Sequence, residues 1–150
     1  MSFSKRSAFL ASVLTLSLLL GGCVTLKGGG QLAGPEQPFT GVKEIKYATV
    51  LNTVARSPQP AFLEEYDPDN CDSACQKQHD VVDALADKYA GKVRFYRVTT
   101  SEDEFKSDLE YPVYMIVRSP LQVYATESGV KTVDELSKFI DDALAEMDKS

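Results

Sequence analysis

Cys75-Gln-Lys-Gln-His-Asp-Val-Val-Asp-Ala-Leu-Ala-Asp-Lys-Tyr89-Ala-Gly-Lys-Val93 is the stretch of this 150-residue chain on which the fold turns. Cys75, His79, Val82, Ala86 and Tyr89 recur at alternating intervals of four and three, and Val81 and Leu85 widen the stripe. That spacing lays apolar side chains along one face of an α-helix, predicted over 72–89. Gly91 follows in the position of a C-terminal cap, and Lys92 to Val98 then alternates as a strand does.

Working outward, Ile45 to Val54 is rich in β-branched residues and reads as a strand. Ser57 to Asn70 contains Pro58, Pro60 and Pro68 and reads as loop, with one helical turn at Ala61 to Tyr66. Downstream, Ser101 with Glu104 makes a capping-box signature before a short helix carrying Phe105 and Leu109. Pro112 to Val117 and Leu121 to Thr126 read as two strands joined tightly through Ser119-Pro120. After Gly129, Thr132 with Glu135 opens a helix with an apolar stripe running from Val133 through Leu136 and Ile140 to Met147. The expected class is α/β, with a central mixed sheet of about four strands flanked by helices.

The N-terminus has a different character. Lys5 and Arg6 precede an apolar run from Ala8 to Leu20, long enough for a signal peptide and too short to span a bilayer. The run ends in Leu20-Gly21-Gly22-Cys23, which resembles the lipobox of bacterial lipoproteins. The resemblance implies a leader over 1–22 and a lipidated Cys23, with palmitate among its acyl chains and a stable membrane anchor as the result. Val24 stands where the family's inner-membrane retention signal has aspartate, which points to the outer membrane, facing the periplasm, in a Gram-negative cell. Residues 23–42, with Gly28-Gly29-Gly30, Gly34-Pro35 and Pro38, read as lipidated cysteine and flexible tether, leaving 43–150 as the domain. Loss of Lys5 and Arg6 with the leader takes the formal charge from −6 to −8. So acidic a domain is a poor partner for nucleic acid. Cys71 and Cys75 remain in an oxidising compartment, where a disulfide is the default expectation.

The helix quoted first resembles, without a gap, the thioredoxin family's helix that runs from its second active-site cysteine into the next strand. Tyr111-Pro112 falls where that family has its cis-proline, before a strand, and Gly129 and the capped helix from Thr132 match its closing elements. The likeness covers roughly Lys43 to Met147, and implies a peptide-binding groove beside Tyr111-Pro112 and the Cys71–Cys75 turn. The active-site motif departs from the family at four points. Three residues rather than two separate the cysteines, and no tryptophan precedes Cys71. The strand before the motif offers only Asn52 where many members have a buried, proton-relaying acid. About sixteen residues, Val54 to Asn70, separate that strand from Cys71.

Three chemistries compete for these residues. In a dithiol mechanism Cys71 attacks from a helix N-terminus and Cys75 resolves; in a structural one the pair staples a loop to the helix, since i, i+4 Cα atoms lie about 6 Å apart. Cys71, Cys75 and His79 also repeat at intervals of four, and sulfur with imidazole suits copper or zinc. The spacer is similar to that of the Sco copper chaperones, whose ligand histidine lies far downstream, yet His79 is the one histidine of this chain. Asp67, Asp69, Asn70 and Asp72 lack the glycine and glutamate of a calcium loop and read as turn and helix cap. The reading that follows is a membrane-anchored accessory subunit that binds envelope proteins, with Cys71–Cys75 mainly structural and no cofactor beyond the lipid on Cys23. Its alternative is a thiol-disulfide oxidoreductase or copper-delivery protein using the same cysteines.

Overall fold

A computed structural model describes residues 37–100, 109–119 and 122–149. The leader, Cys23 and most of the tether lie outside these residues, as does the short helix expected after Ser101. The elements run β1 (Val42–Lys46), α1 (Val50–Val54), β2 (Ala61–Tyr66), α2 (Ser73–Lys88), β3 (Arg94–Thr99), β4 (Val113–Arg118), β5 (Gln122–Ser128) and α3 (Val133–Met147). They form one five-stranded sheet in the order β1-β3-β2-β4-β5. β3 is parallel to β1 and β2, while β4 is antiparallel to β2 and β5.

Four expectations need correction. The strand read from Ile45 to Val54 stops at Lys46, and a 3-10 turn and α1 take up the rest. β-branched residues suit a strand only where a partner strand lies alongside; here Val54 instead turns inward, fully buried, beside Ala61 and Leu63. The loop read from Ser57 to Asn70 contains β2, which lies at the middle of the sheet. Its first five residues are all buried, because strands flank it on both sides, α2 and α3 pack on one face and Val54 of α1 packs on the other. The sheet therefore has five strands where about four were expected. Phe39 and Val42, assigned to the tether, belong to the domain: Phe39 meets the Tyr96 ring edge-on at 5.4 Å, and Val42 packs on the main core.

α2 and α3 cover one face of the sheet. Val82, Leu85, Leu136 and Ile140 meet Phe62, Phe95 and Tyr114 there. The rings of Phe62 and Phe95 stack at 4.9 Å. The phenol of Tyr89 fastens the two helices, donating to Ser137 O at 3.1 Å and lying 2.9 Å from Asp141 Oδ1. Burial, and then the Asp141 carboxylate, push that phenol up to about 12. The expected capping box at Thr132 and Glu135 is present. Gly91 and Gly129 both have positive φ, at 80° and 76°, backbone that side chains with a Cβ rarely adopt.

Candidate functional site

The parallel strands β2 and β3 end at the same pole of the sheet where α2 and antiparallel β4 begin. In open α/β sheets this is the pole where ligands bind. Asp72 caps α2 there, its Oδ1 accepting the backbone N–H of Ala74 and of Cys75, each at 2.9 Å. Cys71 and Cys75 bracket this cap and are joined by a disulfide with Cα atoms 5.3 Å apart. Cys75 is buried while Cys71 is partly exposed. The Tyr111–Pro112 bond is cis. Between Tyr111 and the disulfide turn lies a groove of about 480 Å³, with Asn70, Asp72 and Cys75 on one side and Leu109 and Val130 exposed at its edge.

The structure restores two features the sequence reading denied to this site. The strand before the motif is β2, so only Asp67 to Asn70 intervene before Cys71, rather than sixteen residues. That strand carries acids. Glu65, six residues before Cys71, is 3% exposed, and its Oε1 has no hydrogen-bond partner among the described residues. Burial raises its carboxyl above the ordinary value. It lies in register with Val113, the residue that follows cis-Pro112. Asn52, the candidate from sequence, is exposed on α1. The run Ala61-Phe62-Leu63 between Pro60 and Pro68 was the available signal for a short buried strand; the adjacent glutamates masked it.

Glu64 points to the opposite face, beneath α2, and is fully buried. Its Oε2 accepts Arg97 Nε–H at 2.8 Å, and its Oε1 lies 3.1 Å from His79 Nδ1. Arg97 also donates to His79 O and to Asp83 Oδ1, at 3.2 and 3.1 Å. Burial acts to lower the Arg97 pKa, but the Glu64 carboxylate, with Asp83 behind it, carries it above the ordinary value. The Tyr114 phenol, pushed up by burial and by Glu64, donates to Gln78 Oε1 at 2.8 Å. That same oxygen accepts Lys131 N–H at 2.9 Å, tying α2, β4 and the approach to α3 together.

The metal set of Cys71, Cys75 and His79 does not assemble. The sulfurs are bonded to each other, and the imidazole is engaged by Glu64 and packed edge-on against Tyr66 at 4.8 Å. Among the described residues no group of three or more potential ligands stands ready for a metal. Asp67 folds a turn, accepting Asp69 N–H at 2.9 Å and Asn70 Nδ2–H at 2.6 Å, and Asp72 is the cap, so the acidic run is satisfied without an ion.

No protein-family model and no curated protein matches the sequence. Solved structures do match the fold. Spinach chloroplast thioredoxin f in its short form superposes with a TM-score of 0.57 at 18% identity, over 72% of this chain and 97% of the other. The long form gives 0.55 at 20%, over 69% and 86%. Thioredoxin f2, in a complex with ferredoxin:thioredoxin reductase, is the subject of another match: 0.57 at 19%, over 69% and 94%. This is a thioredoxin-like fold. Within it the cysteine pair, the cis-proline and the end of β2 that carries the buried Glu65 lie at one pole of the sheet.

Proposed function

We propose that this protein is a membrane-anchored thiol-disulfide oxidoreductase of the bacterial envelope, with Cys71 as nucleophile, Cys75 as resolving thiol and Glu65 as proton acceptor. The observation that carries the reading is Glu65, a buried acid without a partner for Oε1, at the end of the strand that leads into the cysteines. A carboxyl with a raised pKa can take and return a proton nearer neutral pH than an ordinary one. The partial exposure of Cys71 and the burial of Cys75 match their assigned order of attack.

In the reducing direction the Cys71 thiolate attacks one sulfur of a client disulfide, and the other client sulfur leaves and is protonated. Glu65 takes the proton of Cys75, whose thiolate attacks Cys71 Sγ. The second client thiolate is released, leaving the client reduced by two electrons and the protein as the Cys71–Cys75 disulfide. A dithiol reductant must then regenerate it. Run backwards, the same steps oxidise a client.

One observation favours the other reading, a binding subunit with a structural disulfide. The third spacer residue allows Asp72 to occupy the Ala74 and Cys75 amides, with a negative charge where a helix N-terminus would otherwise stabilise a thiolate. Cys75→Ser separates the two. An oxidoreductase so altered should strand client proteins on Cys71 as reductant-sensitive adducts that vanish in the Cys71→Ser/Cys75→Ser double variant. A binding subunit should recover its partner with or without reductant and form no such ladder.

The anchor rests on Leu20-Gly21-Gly22-Cys23, and among the described residues no helix is long and apolar enough to cross a membrane. Cys23→Ser should block lipidation and release the protein from the membrane fraction, or leave it unprocessed. A processed, membrane-bound Cys23→Ser protein would refute the lipid anchor.

A further inference from the structure

We infer that the groove beside the disulfide takes an extended polypeptide segment bearing lysine or arginine next to an aliphatic side chain. The inference rests on the redox reading only in naming this segment a client; the binding itself does not require cysteine chemistry.

The walls supply both halves of the recognition. Leu109 and Val130 are 45% and 57% exposed where they line the groove, so an aliphatic client side chain placed between them would remove apolar surface from water on both sides. The charged side chains lining it are Asp72 and Glu110, and among the described residues that line it none is lysine or arginine. Asp72 is partly compensated by the two amides it caps. Glu110 lies over the backbone of Gly129, where an added Cβ would meet its Oε2 at 3.4 Å, so the glycine keeps that carboxylate its place on the wall. Lys131, next to the groove in sequence, is engaged by Glu127 at 3.1 Å. The whole chain carries a formal charge of −6, which adds the same sign at longer range. An anionic client would meet repulsion at every stage, whereas a cationic one is drawn in and then finds carboxylates at contact. The open form of the groove suits a chain laid across it better than a small enclosed ligand.

The test uses the full lipidated chain in a neutral detergent. Two peptides share a central cysteine, blocked as a methyl disulfide, with a leucine beside it; one carries two lysines and the other two glutamates. Reduced protein should react with the lysine peptide about tenfold faster at low salt, and the ratio should collapse in 1 M salt, where the screening length is roughly 3 Å. Glu110→Gln should cut the preference about threefold and Glu110→Lys should abolish it. Binding of both peptides, as thioethers, to the Cys71→Ser/Cys75→Ser protein is measured by fluorescence anisotropy and should show the same order. Equal rates, or a preference that survives Glu110→Lys, would overturn the inference while leaving the redox reading intact. Selective binding without any reaction would remove the redox reading and leave the groove's selectivity standing. Cystamine, a small cationic disulfide, should gain much less than the lysine peptide; an equal gain would overturn the claim that a polypeptide is the occupant.

Discussion

Arg97→Ala should lower the melting temperature by about 10–25 °C, the largest stability effect expected of a single change outside the aromatic core. The substitution would leave the Glu64 carboxylate fully buried without the guanidinium that lies 2.8 Å from it. Removing one partner of a buried pair typically costs about 3–5 kcal/mol, and for a domain of slightly more than 100 residues each kcal/mol moves the midpoint by roughly 3–5 °C. Asp83 and the backbone carbonyl of His79 would lose a donor as well. The double variant Glu64→Leu/Arg97→Met should recover most of the loss, since apolar residues of similar volume often replace a buried pair at little cost. Thermal unfolding followed by circular dichroism measures both. A single-variant shift of only a degree or two would mean that water reaches Glu64, and the pair would then be no more than a surface contact.

Glu65→Gln should slow resolution by Cys75 by about 10²-fold at neutral pH, the low end of what a positioned base contributes. It should also change how stability depends on pH, in a direction fixed by the raised pKa. A carboxyl whose pKa is higher in the folded protein than in the unfolded chain binds its proton more tightly when folded. Glu65 therefore costs stability at neutral pH, and the cost fades as pH falls through its folded value and is gone below the ordinary 4.5. The glutamine variant should be the more stable of the two at pH 7 and lose that advantage in acid. Single-turnover reduction of a model disulfide and chemical denaturation at pH 4 and pH 7 report the two effects separately. A faster unfolding of Glu65→Gln at pH 7 together with an unchanged reaction rate would assign Glu65 a packing role and remove it from the chemistry.

Both predictions rest on β2, the element that sequence reading placed in a loop. α2 and α3 were legible because a helix reports itself locally: the four-three stripe of Val82, Ala86 and Tyr89 and the Thr132–Glu135 capping box need no distant partner to be recognised. The hairpin of β4 and β5 was legible for the same reason, and the order of these elements was enough to expect an α/β sheet, while the cis bond at Tyr111–Pro112 was expected from the resemblance to the thioredoxin family. Glu64-Glu65 belongs to another category. Two adjacent glutamates between prolines describe a solvated loop unless something elsewhere neutralises them. For Glu64 that something is Arg97, its partner in strand register and 33 residues away, whereas Glu65 is buried with no such cation beside it among the described residues. Ile45 to Val54 failed in the opposite sense: its β-branched residues can form a strand, and only the presence of a partner as far as Lys46 decides where the strand stops. Sequence by itself determined α2, α3, the hairpin and the cysteine spacing, all set by neighbours within a few residues. Tertiary structure alone decided which strand is central, which acid is buried at the end of the strand that leads into the cysteines, and that His79 turns to Glu64 rather than to sulfur, because a buried charge is tolerable only where a partner from a distant segment, or a proton, is there to meet it.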